Sequence, residues 1–110
     1  HAVENYSDDG RMRGFWENMS FEIDGFLGCC NPARITTLED GSFVTSEKGL
    51  VRIKIYDESG VLKSVVASPD LFKEEEGEAP EVCADENNVI YALDFDKDMV
   101  RVFEPLETAE

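Results

Sequence analysis

The sequence predicts an all-β protein built from small antiparallel meanders, and three observations carry that expectation. The first is period-two alternation: Val51, Ile53 and Ile55 fall on one face of a run whose other face holds Arg52, Lys54 and Tyr56. A half-buried strand requires this spacing, because successive side chains of an extended backbone point to opposite sides. The second is the punctuation between such runs, notably Asp40-Gly41 and Ser59-Gly60. Glycine takes positive φ without steric cost, as tight hairpin turns demand. The third is self-similarity. Tyr6-Ser7-Asp8-Asp9-Gly10-Arg11-Met12-Arg13 lies in frame with Tyr56-Asp57-Glu58-Ser59-Gly60-Val61-Leu62-Lys63 at an offset of 50.

Taken in order, residues 1–25 read as the end of a preceding unit and a lead-in. Within them a third strand ends near Tyr6, a turn follows, and Arg11 to Trp16 is a fourth strand. Residues 26–68 form a complete unit, with strands expected over Ala33–Leu38, Ser42–Ser46, Leu50–Tyr56 and Val61–Ala67. Residues 69–80 are an acidic connection. Its Lys73-Glu74-Glu75-Glu76-Gly77-Glu78 stretch has no apolar anchor and reads as a solvated loop. Residues 81–110 restart the unit: Ala79-Pro80-Glu81-Val82 echoes Asn31-Pro32-Ala33-Arg34 at an offset of 48, and Asn87-Asn88 stands where Asp40-Gly41 stood, at 47. Strands follow over Val82–Ala84, Val89–Leu93 and Met99–Phe103, and the chain ends without a fourth. Val89 to Leu93 is apolar on both faces, which predicts neighbours on each side. The Arg11–Trp16 strand is one source for the missing fourth strand, from within the chain or from another copy.

Composition narrows the function classes. The 110 residues are within the size of one domain and carry 25 acidic against 10 basic side chains, a net charge of −15. Such a surface repels phosphate backbones and anionic lipid, so nucleic acid is not an expected partner. Cations and basic partners fit better, although most acidic surfaces only solubilise. The sequence has no apolar run of membrane-spanning length and no signal peptide. It begins at His1 and not at methionine, which reads as a processed or excised piece. Three cysteines, two of them adjacent, do not make a paired disulfide framework.

A repeat of about 40–50 residues with four strands per unit is the period of a propeller blade. The succession of Pro, strand, Asp-Gly, strand, acidic loop and Arg/Lys-Val/Ile-x-Val/Ile-Tyr/Phe resembles NHL-type β-propeller repeats. Gly28-Cys29-Cys30-Asn31-Pro32, with Val44-Thr45-Ser46-Glu47-Lys48-Gly49 and Arg52-Ile53-Lys54, is similar to a bacterial, lipoprotein-like group of six-bladed propellers. The resemblance implies an extracytoplasmic location and a fold, and no particular reaction. About two blades are present where a closed ring needs about four or more, so the expectation is an incomplete propeller or one completed by oligomerisation. Three copies of two blades would make six, which makes a homotrimer the preferred assembly; the remaining blades of a longer chain are the alternative.

The blade topology places the loop entering the first strand beside the loop between the second and third. That groups Cys29, Cys30 and Asn31 with Glu47, Lys48 and Arg52, and Asp94 occupies the equivalent place in the next unit. These seven are the candidate ligand-binding residues. The adjacent cysteines are open to three readings: packing, a redox pair, or ligation of a soft metal, with Cys83 on the next first strand. Asp94, Asp96 and Asp98 resemble the opening of a calcium loop, and calcium is the one cofactor the sequence suggests. The pattern then departs from an EF-hand, with Met99 where glycine is needed and Pro105 where glutamate should close the site. An Asp-rich turn accounts for the same residues.

Two functions remain. One is a binding or scaffold propeller for a protein or small-molecule ligand. The other is a hydrolase or lyase using a cation on channel-facing loops. The sequence contains no Ser-His-Asp set, phosphate loop or nucleotide fingerprint, and fold alone licenses no reaction. Binding is the preferred reading, with no catalytic residue assigned.

Overall fold

The computed structural model describes every residue except Phe21, Cys29, 73–76 and 107–110. The described chain is all-β. Nine antiparallel strands form three sheets in sequence order, and a single turn of 3-10 helix, Pro69–Leu71, is the only helical piece among the described residues. The first sheet pairs β1 (Ala2–Tyr6) with β2 (Met12–Glu17). The second is a four-stranded meander of β3 (Arg34–Thr37), β4 (Phe43–Glu47), β5 (Arg52–Tyr56) and β6 (Leu62–Ala67). The third holds β7 (Glu81–Ala84), β8 (Ile90–Asp94) and β9 (Met99–Phe103). The all-β class and the antiparallel, blade-like sheets are as expected. The solvated loop expected over Lys73 to Glu78 falls largely outside the described residues.

The repeat is structural as well as sequential. Tyr6 opposes Met12 just after a bulge in the first sheet, and Tyr56 opposes Leu62 just after a bulge in the second. The turns match too: Gly10 and Gly60 have φ of 86° and 92°, and each donates its N–H to the residue three before it. In the third sheet Asn88, with φ of 63°, takes the place of Gly41 at 87°. Asparagine is among the few side chains that tolerate this region.

Each sheet packs face to face on the next. Between the first and second lie Val3, Trp16, Phe26, Phe43 and Tyr56, with Trp16 and Tyr56 ring centroids 4.7 Å apart. Gly60 has a second reason to be glycine here, since a Cβ would come within 2.6 Å of the Trp16 ring. Between the second and third lie Val44, Val51, Ile53, Ala67, Phe72, Ile90 and Ala92. Burial of each large member contributes roughly 1.5–3 kcal/mol.

Three expectations are corrected. β5 is not half-buried: Arg52, Lys54 and Tyr56 are as inaccessible as Val51 and Ile53, because the first sheet and the lead-in segment cover that face. β8 is not covered on both sides. Ile90, Ala92 and Asp94 are buried against the second sheet, whereas Leu93 on the other face is 39% exposed, together with Val100 and Val102 of β9. Within the chain, β2 does not complete the third sheet; it pairs with β1, and β9 has no strand on its outer edge among the described residues.

Candidate functional site

Most candidate residues lie in two places, a buried join between sheets and a rim groove above it. The join starts from β5. Arg52 and Lys54 project from the same face toward Glu47 of β4, since Glu47 opposes Arg52 and Thr45 opposes Lys54. Arg52 donates to both Glu47 oxygens, Nη2 to Oε1 at 2.7 Å and Nε to Oε2 at 3.2 Å, while Lys54 Nζ lies 3.1 Å from Oε2. The Glu47 and Lys54 side chains are essentially inaccessible and Arg52 is nearly so. Two cations against one anion leave an excess positive charge, which a dry interior tolerates only with further acceptors.

The lead-in segment supplies them. Lys54 Nζ donates to the carbonyls of Ile23 and Gly25 at 2.9 and 2.7 Å, Arg52 Nη2 to Gly25 at 3.2 Å, and the Tyr56 hydroxyl to Asp24 at 3.0 Å. Lys54 also sits 4.8 Å from the Phe26 ring centroid. Burial, opposed by Glu47 and reinforced by Arg52, pushes the Lys54 ammonium below the usual lysine range, and burial raises the Tyr56 phenol. This arrangement holds a segment of irregular backbone against a sheet. Glu47 and Arg52 therefore lie inside a joint and not on an open surface.

The third sheet repeats the device in reduced form. Asp94 stands 47 residues after Glu47 and Arg101 stands 47 after Lys54. Arg101 Nε lies 3.5 Å from Asp94 Oδ2, its guanidinium is 5.4 Å from the Phe72 ring centroid, and it donates to the Leu71 carbonyl. Met99 replaces Arg52, so the second cation is lost. Asp94 is buried, and its Oδ1 accepts the N–H groups of Asp96 and Lys97, closing the turn. Both Asp94 oxygens are thus engaged. Asp96 Oδ2 accepts the Glu78 N–H, and Asp98 has a left-handed φ of 51°. Among the described residues no group of three or more potential ligands stands close enough to hold a metal.

Above the second and third sheets the predicted loops do meet. Asn31, buried, accepts the Lys48 N–H at 2.9 Å and donates to the carbonyls of Leu27 and Lys48 at 2.7 and 3.2 Å. Gly49 and Gly77 exchange backbone bonds at 2.7 and 3.1 Å, tying the acidic connection to the β4–β5 loop. Leu50 and Val51 lie in the turn after this tie, so β5 starts at Arg52 and not at Leu50. The result is an open groove of about 490 Å³ lined by Leu27, Gly28, Asn31, Lys48, Leu50 and Glu78. A second hollow of about 450 Å³ shares Lys48 and Glu78 and reaches Cys30, Arg34 and Phe95. Cys30 is exposed with φ of 71°, the Asn31–Pro32 peptide is cis, and Cys83 is exposed on β7. Cys29 lies outside the described residues. With its amide saturated, Asn31 positions the groove, and Lys48 and Glu78 offer opposite charges beside apolar Leu27 and Leu50.

Sequence reasoning placed Asp94 under Glu47 and Phe26 inward, but did not pair Phe26 with Phe72, which recur 46 residues apart before each unit and cover the two cations. That recurrence was the available signal. No protein-family model matches the chain, and no curated protein matches it in sequence.

Proposed function

We propose that this chain is a segment of a β-propeller of the NHL type that serves as a binding or scaffold module. Its ligand, a protein segment or small molecule, occupies the rim groove between the second and third sheets. The observation that carries the reading is the division of labour among ionisable groups. Glu47, Arg52, Lys54, Asp94 and Arg101 are engaged in joining sheets, whereas Lys48 and Glu78 remain on the rim beside exposed Leu50. A groove with one cation, one anion and an apolar floor suits a short peptide or a zwitterionic small molecule.

The repeated unit and the Gly28 to Pro32 entry support the propeller family, and the location outside the cytoplasm rests on that resemblance. No described helix is long and apolar enough to cross a membrane. The acidic surface argues against nucleic acid. Exposed apolar residues at both ends of the stack, Phe15 at one and Val100 at the other, support association of copies, with a trimer the expected form in sedimentation velocity.

The test is an NMR screen of short peptides and zwitterionic fragments against the labelled chain. Shifts confined to Asn31, Lys48, Leu50 and Glu78, abolished by Lys48→Glu and Leu50→Asp in folded variants, support the reading. Ligands that map only to the opposite rim, or none at all, overturn it.

A further inference from the structure

We propose that the rim groove and the hollow beside it take the C-terminal residue of a peptide, its carboxylate at Arg34 and its aliphatic side chain between Leu27 and Leu50. This deepens the reading of the groove as a ligand site and rests on it. The groove and the second hollow meet at Lys48 and Glu78, which line both. From that meeting point the groove runs to Leu27 and Leu50, and the second hollow runs to Arg34. A ligand seated across the join therefore finds an apolar wall on one side, cations on the other and a carboxylate between them.

The cationic side has a built floor. Arg34 of β3 stands directly opposite Ser46 of β4, and Lys48 follows Ser46 by two residues, so by alternation the three side chains share one face of the second sheet. Arg34 Nε meets Glu81 at 2.6 Å, but both side chains are about half exposed, and an exposed pair of this kind is exchanged for another carboxylate at small cost. Lys48 is exposed, and among the described residues its ammonium meets no carboxylate. Ser46 is wholly inaccessible, and its hydroxyl has no hydrogen-bond partner among the described residues. An acceptor drawn in as Arg34 turns from Glu81 relieves that unmet donor. On a chain of net charge −15, two cations and an unsatisfied hydroxyl at one hollow single out an anionic group as what fits there.

The rest of the site decides which anion. Glu78 at the join calls for a donor, which a simple aliphatic acid lacks and an amino-acid residue brings as the N–H beside its carboxylate. Leu50 is 42% exposed and Leu27 lies across from it in the groove, so an aliphatic side chain seated there removes apolar area from water. Carboxylate, N–H and side chain all branch from the Cα of a C-terminal residue, and the open groove leaves the preceding residues a way out.

The test titrates the labelled whole chain with acetyl-Gly-Gly-Leu as the free acid and as its C-terminal amide, followed by NMR. The acid should shift Arg34, Lys48, Leu50 and Glu78 and bind about tenfold more tightly than the amide, the worth of charge-assisted bonds to the carboxylate. Arg34→Gln, at an exposed position, should remove the preference for acid over amide, which a merely structural role for Arg34 would not do. Acid and amide binding the groove equally overturns the inference and leaves the groove reading standing. An acid preference that survives Arg34→Gln overturns it too, as does hexanoate or free leucine binding as tightly as the peptide acid. Neither peptide shifting the rim while other fragments do also overturns it, whereas no ligand of any kind at the rim brings down the groove reading as well.

Discussion

The join between the first and second sheets and the join between the second and third are one device built to two standards. Both set a carboxylate against a cation and cover the cation with an aromatic ring and a backbone carbonyl from the preceding connection. In the first join Lys54 is wholly enclosed and Glu47 bonds both Arg52 and Lys54 at 2.7–3.2 Å. In the second, Arg101 keeps 22% of its side chain in contact with solvent and meets Asp94 at 3.5 Å. The difference lies in the cover. Among the described residues, three lead-in carbonyls, from Ile23, Asp24 and Gly25, close over the first join, whereas Leu71 alone supplies the carbonyl of the second. Burial makes the first join more specific and more dangerous to break, because a charge stranded there has no water to turn to.

Glu47→Ala should expose the contrast most sharply. It strands Arg52 and Lys54 in a dry interface, and a loss of about 3–5 kcal/mol in urea unfolding is expected. A loss below that of Asp94→Ala would break the comparison. Replacing all three partners together, Glu47→Leu with Arg52→Met and Lys54→Met, should recover most of that stability, since an apolar set of similar volume has no desolvation cost. Asp94→Asn should cost less, about 1–2 kcal/mol, because Arg101 can rehydrate and the amide oxygen can still accept the Asp96 and Lys97 N–H groups. The smallest effect concerns the hairpin turns. Ser42's hydroxyl and amide, with Lys63, hold the Asp40 carboxyl at about 2 against an ordinary 3.8. A depressed carboxylate stabilises the fold above its unfolded value, so this contribution is complete above 3.8 and is lost as pH falls through 2. An NMR titration of Asp40 should show that midpoint, and Asp40→Asn should flatten the acid limb of stability over the same window.

Much of the fold was legible because the repeat writes its turns in glycine and its strands in alternation. Asp40-Gly41 and Ser59-Gly60 fall at turns, and β6, β7 and β9 fall where the pattern set them. What alternation could not convey was the fate of the polar face of β5. Arg52, Lys54 and Tyr56 look like a solvent face, since charge on every second residue is the ordinary mark of exposure. Only their three-dimensional partners, carbonyls 27 to 32 residues away, reveal that the face is closed. The meeting of Asn31 with Lys48 followed from topology, whereas the Gly49–Gly77 tie has no sequence signature beyond two glycines.

The clamp on the lead-in carbonyls also orders events in time. Residues 23–25 have irregular backbone, and what fixes them is donated by side chains of β5. During synthesis this segment leaves the ribosome before β4 and β5, yet it can settle only after they have emerged and paired. The lead-in therefore finds its place after strands that are made later than it, and the second sheet serves as the template on which its own lead-in is mounted.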